Sequence, residues 1–192
     1  MSNRMFIGLL AILLGGTVVL FASNHKHAQL QALVGVATHS SQGNRHIAEG
    51  SKHTAYNSDL PSSGSHYQDA YSPAQWGSYT QELPPEIFLH NEEHGGIVIA
   101  YKPNLASDLV EKLKKLFATP SLDKNFSAGK FILMPRVANK QPIELASWTR
   151  TYDLNSFDET KIEEFYRQNV GNKRAPESRA GPTNKPINQV SQ

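Results

Sequence analysis

Apolar residues form one long block at the N-terminus and several shorter runs after residue 85. The N-terminal block, Met5 to Ala22, is uncharged, and its roughly 18 residues reach about 27 Å as a helix, close to the thickness of a bilayer core. Arg4 precedes it. This pattern predicts a single-pass signal anchor in the cytoplasmic membrane, with the C-terminal part periplasmic or extracellular. A cleaved signal peptide is the alternative, although its apolar core is usually shorter.

The later runs alternate between helical and strand patterns. Ile97–Tyr101 is a continuous apolar run, which is typical of a central strand. The leucines between Leu105 and Phe117 recur at helical spacing. The other predicted elements are a short helix over Pro85–His94 with proline in its first turn, strands over Phe131–Met134 and Ile143–Trp148, and a helix that begins at a capping box, Ser156–Glu159, and ends at Gly171.

The order of these elements is helix, strand, helix, strand, strand, helix. It predicts an α+β fold with a small mixed sheet, in which the first two strands are parallel and the third is antiparallel to the second. About 120 residues suffice for a modest core. The predicted organisation is a membrane segment over 1–23, a tether over 24–43, a globular domain over 44–171 and a disordered polar tail over 172–192.

Residues 56–85 are rich in both proline and aromatic side chains. Proline at this density excludes a long helix, whereas disordered segments are poor in aromatic residues. The segment is therefore predicted to be a long irregular loop that something holds in place, such as a metal ligand at His66. The aromatic residues are Tyr67, Tyr71, Trp76 and Tyr79.

Composition narrows the chemistry. The chain has no cysteine, which excludes disulfides, thiolate ligands, iron–sulfur clusters and a lipoprotein anchor. Any metal must be held by histidine, carboxylate or methionine. The 19 basic residues are balanced by 17 acidic ones and are dispersed, so no nucleic-acid surface is predicted.

The strongest candidate site is the segment His90-Asn91-Glu92-Glu93-His94. His90 and His94 are four residues apart and share one helix face, with about 5–6 Å between their Cβ atoms. Glu93 leans toward the same face. The glycines that follow end the turn and let the backbone enter the strand. The spacing suits two imidazoles that bind one metal ion. The simpler interpretations are two exposed histidines on a short amphipathic turn, or one histidine that caps a helix end.

The spelling His-x-x-Glu-His also matches the inverted zinc-peptidase motif, with Glu93 as general base. The glycine pair after His94 leaves no long helix for that motif, and the domain is small for such an enzyme. His66 follows a glycine- and serine-containing turn that could present it inward; a surface position is the alternative for it and for His46. Met134 is predicted to fill the core rather than to bind copper. The tether histidines His25, His27 and His39 are predicted to be solvated.

Four segments, in this order, resemble a known family. The chain is similar to domain-of-unknown-function family 3105, whose members are mostly bacterial and commonly carry an N-terminal membrane segment or signal. The resemblance covers about residues 44–170. Its segments are His46–Gly50, Tyr56–Tyr67, Leu89–Tyr101 and Ala146–Trp148.

The resemblance implies a metal site but supplies no reaction. The family pattern has histidine at the positions of His46, His66, His90 and His94, and glutamate at that of Glu93. The chain departs from it in three places. Leu60-Pro61 stands where two prolines are usual, Met134 precedes the proline that the family's methionine follows, and Ser147-Trp148-Thr149 replaces Ala-Trp-Gly.

These observations favour a membrane-anchored extracytoplasmic domain that binds copper or zinc. His66, His90 and His94 are the predicted ligands, with His46 as a fourth. Glu93 is either a ligand or a partner that orients an imidazole. One alternative is a metal-dependent hydrolase with Glu93 as base. The other is a structural or interaction module without metal, in which the histidines hydrogen-bond the backbone of the irregular loop and the loop aromatics form a surface for a partner. Scattered histidines would favour this alternative.

Overall fold

The computed structural model describes residues 33–69, 72–118 and 129–179. No helix within these ranges is long and apolar enough to cross a bilayer, and the predicted membrane segment, residues 1–23, lies outside them. The elements are β1 (Ala37–Thr38), β2 (His46–Ile47), β3 (His66–Tyr67), β4 (Gly77–Ser78), α1 (Pro85–Glu93), β5 (Ile97–Tyr101), α2 (Ser107–Ala118), β6 (Phe131–Pro135), β7 (Ile143–Ser147), β8 (Arg150–Leu154) and α3 (Glu159–Asn169).

The fold is α+β, with a six-stranded mixed sheet in the order β1-β8-β7-β5-β6-β4. The parallel pairing of β5 with β6 is confirmed. The third predicted strand, β7, does run antiparallel to β6, but it pairs with β5. The reason is that β4 occupies the other edge of β6, where Gly77 lies opposite Ile132.

Strand β5 is buried on both faces, which explains its continuous apolar sequence. On one face Ile97, Ile99 and Tyr101 belong to a core cluster that α2 and α3 cover. On the other face Val98 and Ala100 belong to a second cluster. Helix α1 covers this second face with Phe88 and Leu89, and Met134 and the loop aromatics Trp76 and Tyr79 pack there too.

Two predictions on the C-terminal half need correction, and a third agrees with the structure. No strand was predicted between Trp148 and the last helix, but Arg150–Leu154 forms strand β8 and completes a hairpin with β7. The predicted capping box at Ser156 is wrong, because the side chain of Asp158 accepts the hydrogen bond from Lys161 N and α3 begins one residue later. Gly171 follows α3 with a positive φ of 60°, as a C-terminal glycine does.

Residues 172–179, from the segment assigned to a polar tail, form turns that pack against the end of α1. Ala175 is buried. Backbone hydrogen bonds hold the segment in place: Gly171 N donates to Gly95 O at 2.8 Å, and Glu177 N donates to Glu93 O at 3.0 Å. The chain after α3 thus returns to the His90–His94 segment.

Candidate metal centre

Three imidazoles and one carboxylate converge beneath the end of α1. One potential ligand atom from each of His46, His66, His90 and Glu93 lies within 4.8 Å of all the others. Glu93 Oε2 lies 2.9 Å from Nε2 of His66, 3.1 Å from Nε2 of His46 and 3.9 Å from Nε2 of His90. Tetrahedral ligand atoms bound to one zinc ion at about 2.0–2.2 Å lie about 3.3–3.6 Å from one another, in the middle of this range of distances. The cluster therefore has the dimensions of a coordination shell.

Two pieces of secondary structure bring these groups together. The parallel pairing of β2 with β3 sets His46 opposite His66, so both imidazoles leave the small sheet side by side. Helix α1 supplies His90 and Glu93, whose three-residue separation places them on one face. The four groups thus come from one sheet and one helix.

The second nitrogen of each buried imidazole is fixed by the backbone. His66 Nδ1 donates to Gly64 O at 2.9 Å, and His90 Nδ1 donates to Tyr67 O at 2.8 Å. Carbonyl oxygens only accept hydrogen bonds, so both Nδ1 atoms carry a proton. Ser72 Oγ lies 3.1 Å from His90 Nδ1 and donates to the same Tyr67 carbonyl. This arrangement aims both Nε2 atoms at Glu93 and is common for histidines that bind metals.

Nε2 of His66 consequently faces a carboxylate oxygen while Nδ1 is already protonated. A neutral imidazole in this tautomer has only a lone pair to offer at Nε2, and a lone pair facing a carboxylate oxygen is repulsive. The contact is favourable in two cases: the ring is a cation, or a metal ion lies between the nitrogen and the oxygen. His66 and Glu93 are both fully buried, so the shared charge is shielded from water.

Glu93 is poised to remain ionised. Burial by itself raises the pKa of this carboxyl, but hydrogen bonds from His66, Asn44 and His46 outweigh burial and hold the pKa at about 2. Asn44 Nδ2 donates to the other carboxylate oxygen, Oε1, at 2.6 Å. For His90, burial is the largest effect and lowers the pKa to about 4, with a further contribution from the charge of His66. The His90 ring is neutral at pH 7, as a metal ligand must be.

The site is open on one side. The side chain of His46 is 27% exposed, whereas those of His66 and Glu93 are fully buried. An ion can enter past His46, and solvent can reach it there.

The predicted ligands do not all belong to one group. His94 is the C-terminal cap of α1 and lies in a second group with Glu93 and Glu177. Its Nε2 lies 3.2 Å from Glu177 Oε2. His53 hydrogen-bonds Glu86, and His39 hydrogen-bonds Thr151, both outside either group. His25 and His27 lie outside the described residues.

A neighbouring carboxyl behaves differently. Glu92 is fully buried, and neither of its oxygens has a hydrogen-bond partner among the described residues. Burial raises its pKa well above the usual range, which favours the uncharged form. It follows Phe88 by one helical turn, on the face of α1 that covers the sheet. Of the two adjacent glutamates, only Glu93 faces the imidazoles.

Sequence reasoning did not include three residues of the site: Asn44, Ser72 and Glu177. Asn44 orients Glu93, Ser72 supports His90, and Glu177 adds a second carboxylate beside His94. Each lies in an irregular segment without periodicity, so no local pattern marks it. Only the register of β2 with β3 and the return of the chain after α3 place these residues here.

Comparison with known proteins agrees with the resemblance seen in the sequence. No curated protein and no solved structure matches the chain. A family model described as protein of unknown function (DUF3105) matches residues 46–184, a range that begins at His46 and extends beyond Glu177. The chain therefore belongs to the DUF3105 family.

Proposed function

We propose that this protein is a membrane-anchored, extracytoplasmic domain that binds copper or zinc through His46, His66, His90 and Glu93. The observation that carries the proposal is the convergence of three Nε2 atoms on one carboxylate oxygen, within 2.9–3.9 Å. Backbone carbonyls fix the tautomers of the two buried imidazoles so that their lone pairs face inward. A cluster held only by hydrogen bonds between imidazoles and a carboxylate would not require both the convergence on one oxygen and the inward-facing lone pairs.

The ligand set limits the choice of ion. Imidazole suits zinc and copper, whereas magnesium and calcium prefer sites made of oxygen alone. Met134 lies in the core cluster and not among the four ligands, so a soft copper(I) carrier is disfavoured. Copper(II) and zinc are the two ions that the site fits.

The alternatives receive less support. A hydrolase would need Glu93 as a free base, but its carboxylate oxygen lies within 2.9–3.9 Å of three imidazole nitrogens, the position of a ligand. An interaction module would have scattered histidines and exposed aromatics. Three histidines are instead clustered, and Trp76 and Tyr79 pack against the core; Tyr71 lies outside the described residues.

The direct test is metal retention by the full chain, purified in detergent and dialysed against limiting zinc or copper(II). We expect His66→Asn and His90→Asn to weaken the tightest site by about 100-fold or more, because ligand loss exceeds the 10–100-fold effect of losing an orienting partner. His53→Asn is the matched control, since His53 pairs with Glu86 away from the site. Equal affinity in wild type and His66→Asn, with native circular dichroism, contradicts the proposal.

The proposed location is supported by the apolar segment Met5–Ala22 and the arginine before it. In a bacterium that expresses the full chain, we expect it to sediment with the inner membrane and resist extraction by salt. Protease added to spheroplasts should digest the domain while a cytoplasmic marker stays intact. Protection from that protease would exclude the extracytoplasmic assignment, and a shortened chain in the periplasmic fraction would replace the anchor with a cleaved signal.

A further inference from the structure

A second group of ligands adjoins the first. Potential ligand atoms of Glu93, His94 and Glu177 lie within 4.8 Å of one another. His94 Nε2 and Glu177 Oε2 are 3.2 Å apart, a distance that again matches two ligands of one ion. The His94 ring also adjoins the first centre, since its centroid lies 4.8 Å from that of His90. The two groups share Glu93.

Hydrogen bonds to the backbone around Glu177 set the position of this residue. Its amide donates to the carbonyl of Glu93, and one residue later the carbonyl of Ser178 accepts from Lys130 Nζ at 3.3 Å. The same ammonium donates to His94 O at 2.8 Å and so links the end of α1 to the returning chain. Glu177 is therefore delivered to His94 by contacts that do not depend on the Glu177–His94 pair.

Glu93 has the capacity to serve two ions. Oε2 faces the three imidazoles, and Oε1 accepts from Asn44. Each carboxylate oxygen has two lone pairs, so one lone pair on Oε1 is left after the bond from Asn44. A carboxylate with ions on both sides bridges them, and ions in two-metal sites lie about 3.5–4 Å apart. The 4.8 Å separation of the His90 and His94 rings is compatible with that spacing.

His94 is itself suited to a cation. Its Nδ1 is buried and has no hydrogen-bond partner among the described residues. Its side chain is 11% exposed, and the carboxylates of Glu177 and Glu93 lie beside it, so the ring is surrounded by negative charge that a bound cation would balance.

We propose that Glu93, His94 and Glu177 bind a second divalent ion, so that Glu93 bridges a two-metal centre. This inference rests on the proposed function, because Glu93 belongs to both sites. The second site has three protein ligands, and the side chain of Glu177 is half exposed, which leaves a coordination position for water. The second site has one imidazole where the first has three, and the positive charge of Lys130 lies nearby and disfavours a cation there. The second site therefore binds its ion more weakly and is occupied after the first.

The test is a zinc titration of the full chain in detergent by isothermal calorimetry, with bound zinc measured by mass spectrometry after dialysis. We expect two ions for wild type, one for Glu177→Gln, and two for Glu111→Gln. Glu111 is the matched control, a carboxylate of similar exposure on α2 that pairs with Lys114. One ion in wild type and in Glu177→Gln alike overturns the second site and leaves the first intact. No bound ion in any of the three proteins overturns both.

Copper(II) tests the bridge. The first equivalent should give the electron paramagnetic resonance signal of an isolated ion. The second should broaden or diminish that signal, because two copper(II) ions joined through Glu93 are magnetically coupled. In Glu177→Gln the first signal should persist unchanged through the second equivalent. A wild-type signal that doubles in intensity without a change in shape would show that the two ions are far apart. It would contradict the proposal that Glu93 bridges them.

Discussion

Removing the metal from the full chain is expected to lower its melting temperature by roughly 8–16 °C. A ligand that binds only the folded state at about 1,000 times its Kd contributes about 4 kcal/mol. For a domain of about 150 residues, each kcal/mol changes the melting temperature by roughly 2–4 °C. The measurement compares the metal-loaded protein with the same sample after a chelator, by circular dichroism at fixed free-ion concentration.

The structure explains why so much stability depends on one ion. His46 and His66 lie on the small β2–β3 sheet, and the described residues show no hydrogen bonding of that sheet to the six-stranded sheet. His90 and Glu93 lie on α1, which packs on the large sheet. The ion thus links the small sheet to α1, in addition to direct contacts of the same segment with the core, such as the hydrogen bond from Thr149 N to Ser62 O. On chelation, proteolysis within residues 44–67 should accelerate more than proteolysis elsewhere.

His66→Asn serves as the control for this prediction. It loses a ligand and binds the ion about 100-fold more weakly, so the added ion should raise its melting temperature by only roughly 3–6 °C. Wild type that melts at one temperature in chelator and in metal would contradict both the estimate and the proposed centre. A wild-type shift that His66→Asn reproduces in full would show that the ion binds elsewhere.

The parts of the fold that a sequence can predict are those with continuous or periodic apolar patterns. Ile97–Tyr101 was predicted with its observed bounds, and α1 and β6 within one residue. Strand β8 was missed because its hairpin turn has an unusual sequence. Thr149 adopts a positive φ of 64°, which glycine or asparagine normally supplies. A hydrogen bond from its amide to Ser62 O, distant in sequence, holds it there.

The residues of the candidate site likewise divide into those that a sequence pattern predicts and those that it does not. His90 and Glu93 were predictable from their spacing along one helix, because helical geometry alone places them together. The turn before His66 suggested it as a ligand that holds the loop, but only the family resemblance joined His66 and His46 to this pair. The two-residue strands β2 and β3 that pair them are too short to show a pattern. His94 had the right spacing, but α1 ends before it and Gly95 turns the chain with a φ of 78°. Its ring therefore faces Glu177 instead.

Gly96→Ala is expected to cost about 3 kcal/mol and to lower the melting temperature by roughly 6–12 °C. A Cβ on Gly96 would overlap Cη2 and Cζ3 of Trp76 and lie 2.8 Å from the carbonyl oxygen of Asn91. Neither neighbour can yield easily. Trp76 is packed against the core cluster, and the Asn91 carbonyl accepts the hydrogen bond from Gly96 N at 2.9 Å.

Gly129→Ala is the matched control, because no heavy atom lies within 4 Å of its added Cβ and its φ is ordinary. Thermal melts should place it within about 0.5 kcal/mol of wild type, as for most surface substitutions. Trp76→Phe, which removes the overlapping ring atoms, should cost less in the Gly96→Ala background than in wild type, since the two sites are in contact. Gly96→Ala melting at the same temperature as Gly129→Ala would contradict the contact between Trp76 and Gly96. Additive effects of Gly96→Ala and Trp76→Phe would contradict it too, and the start of β5 would then be held in another way.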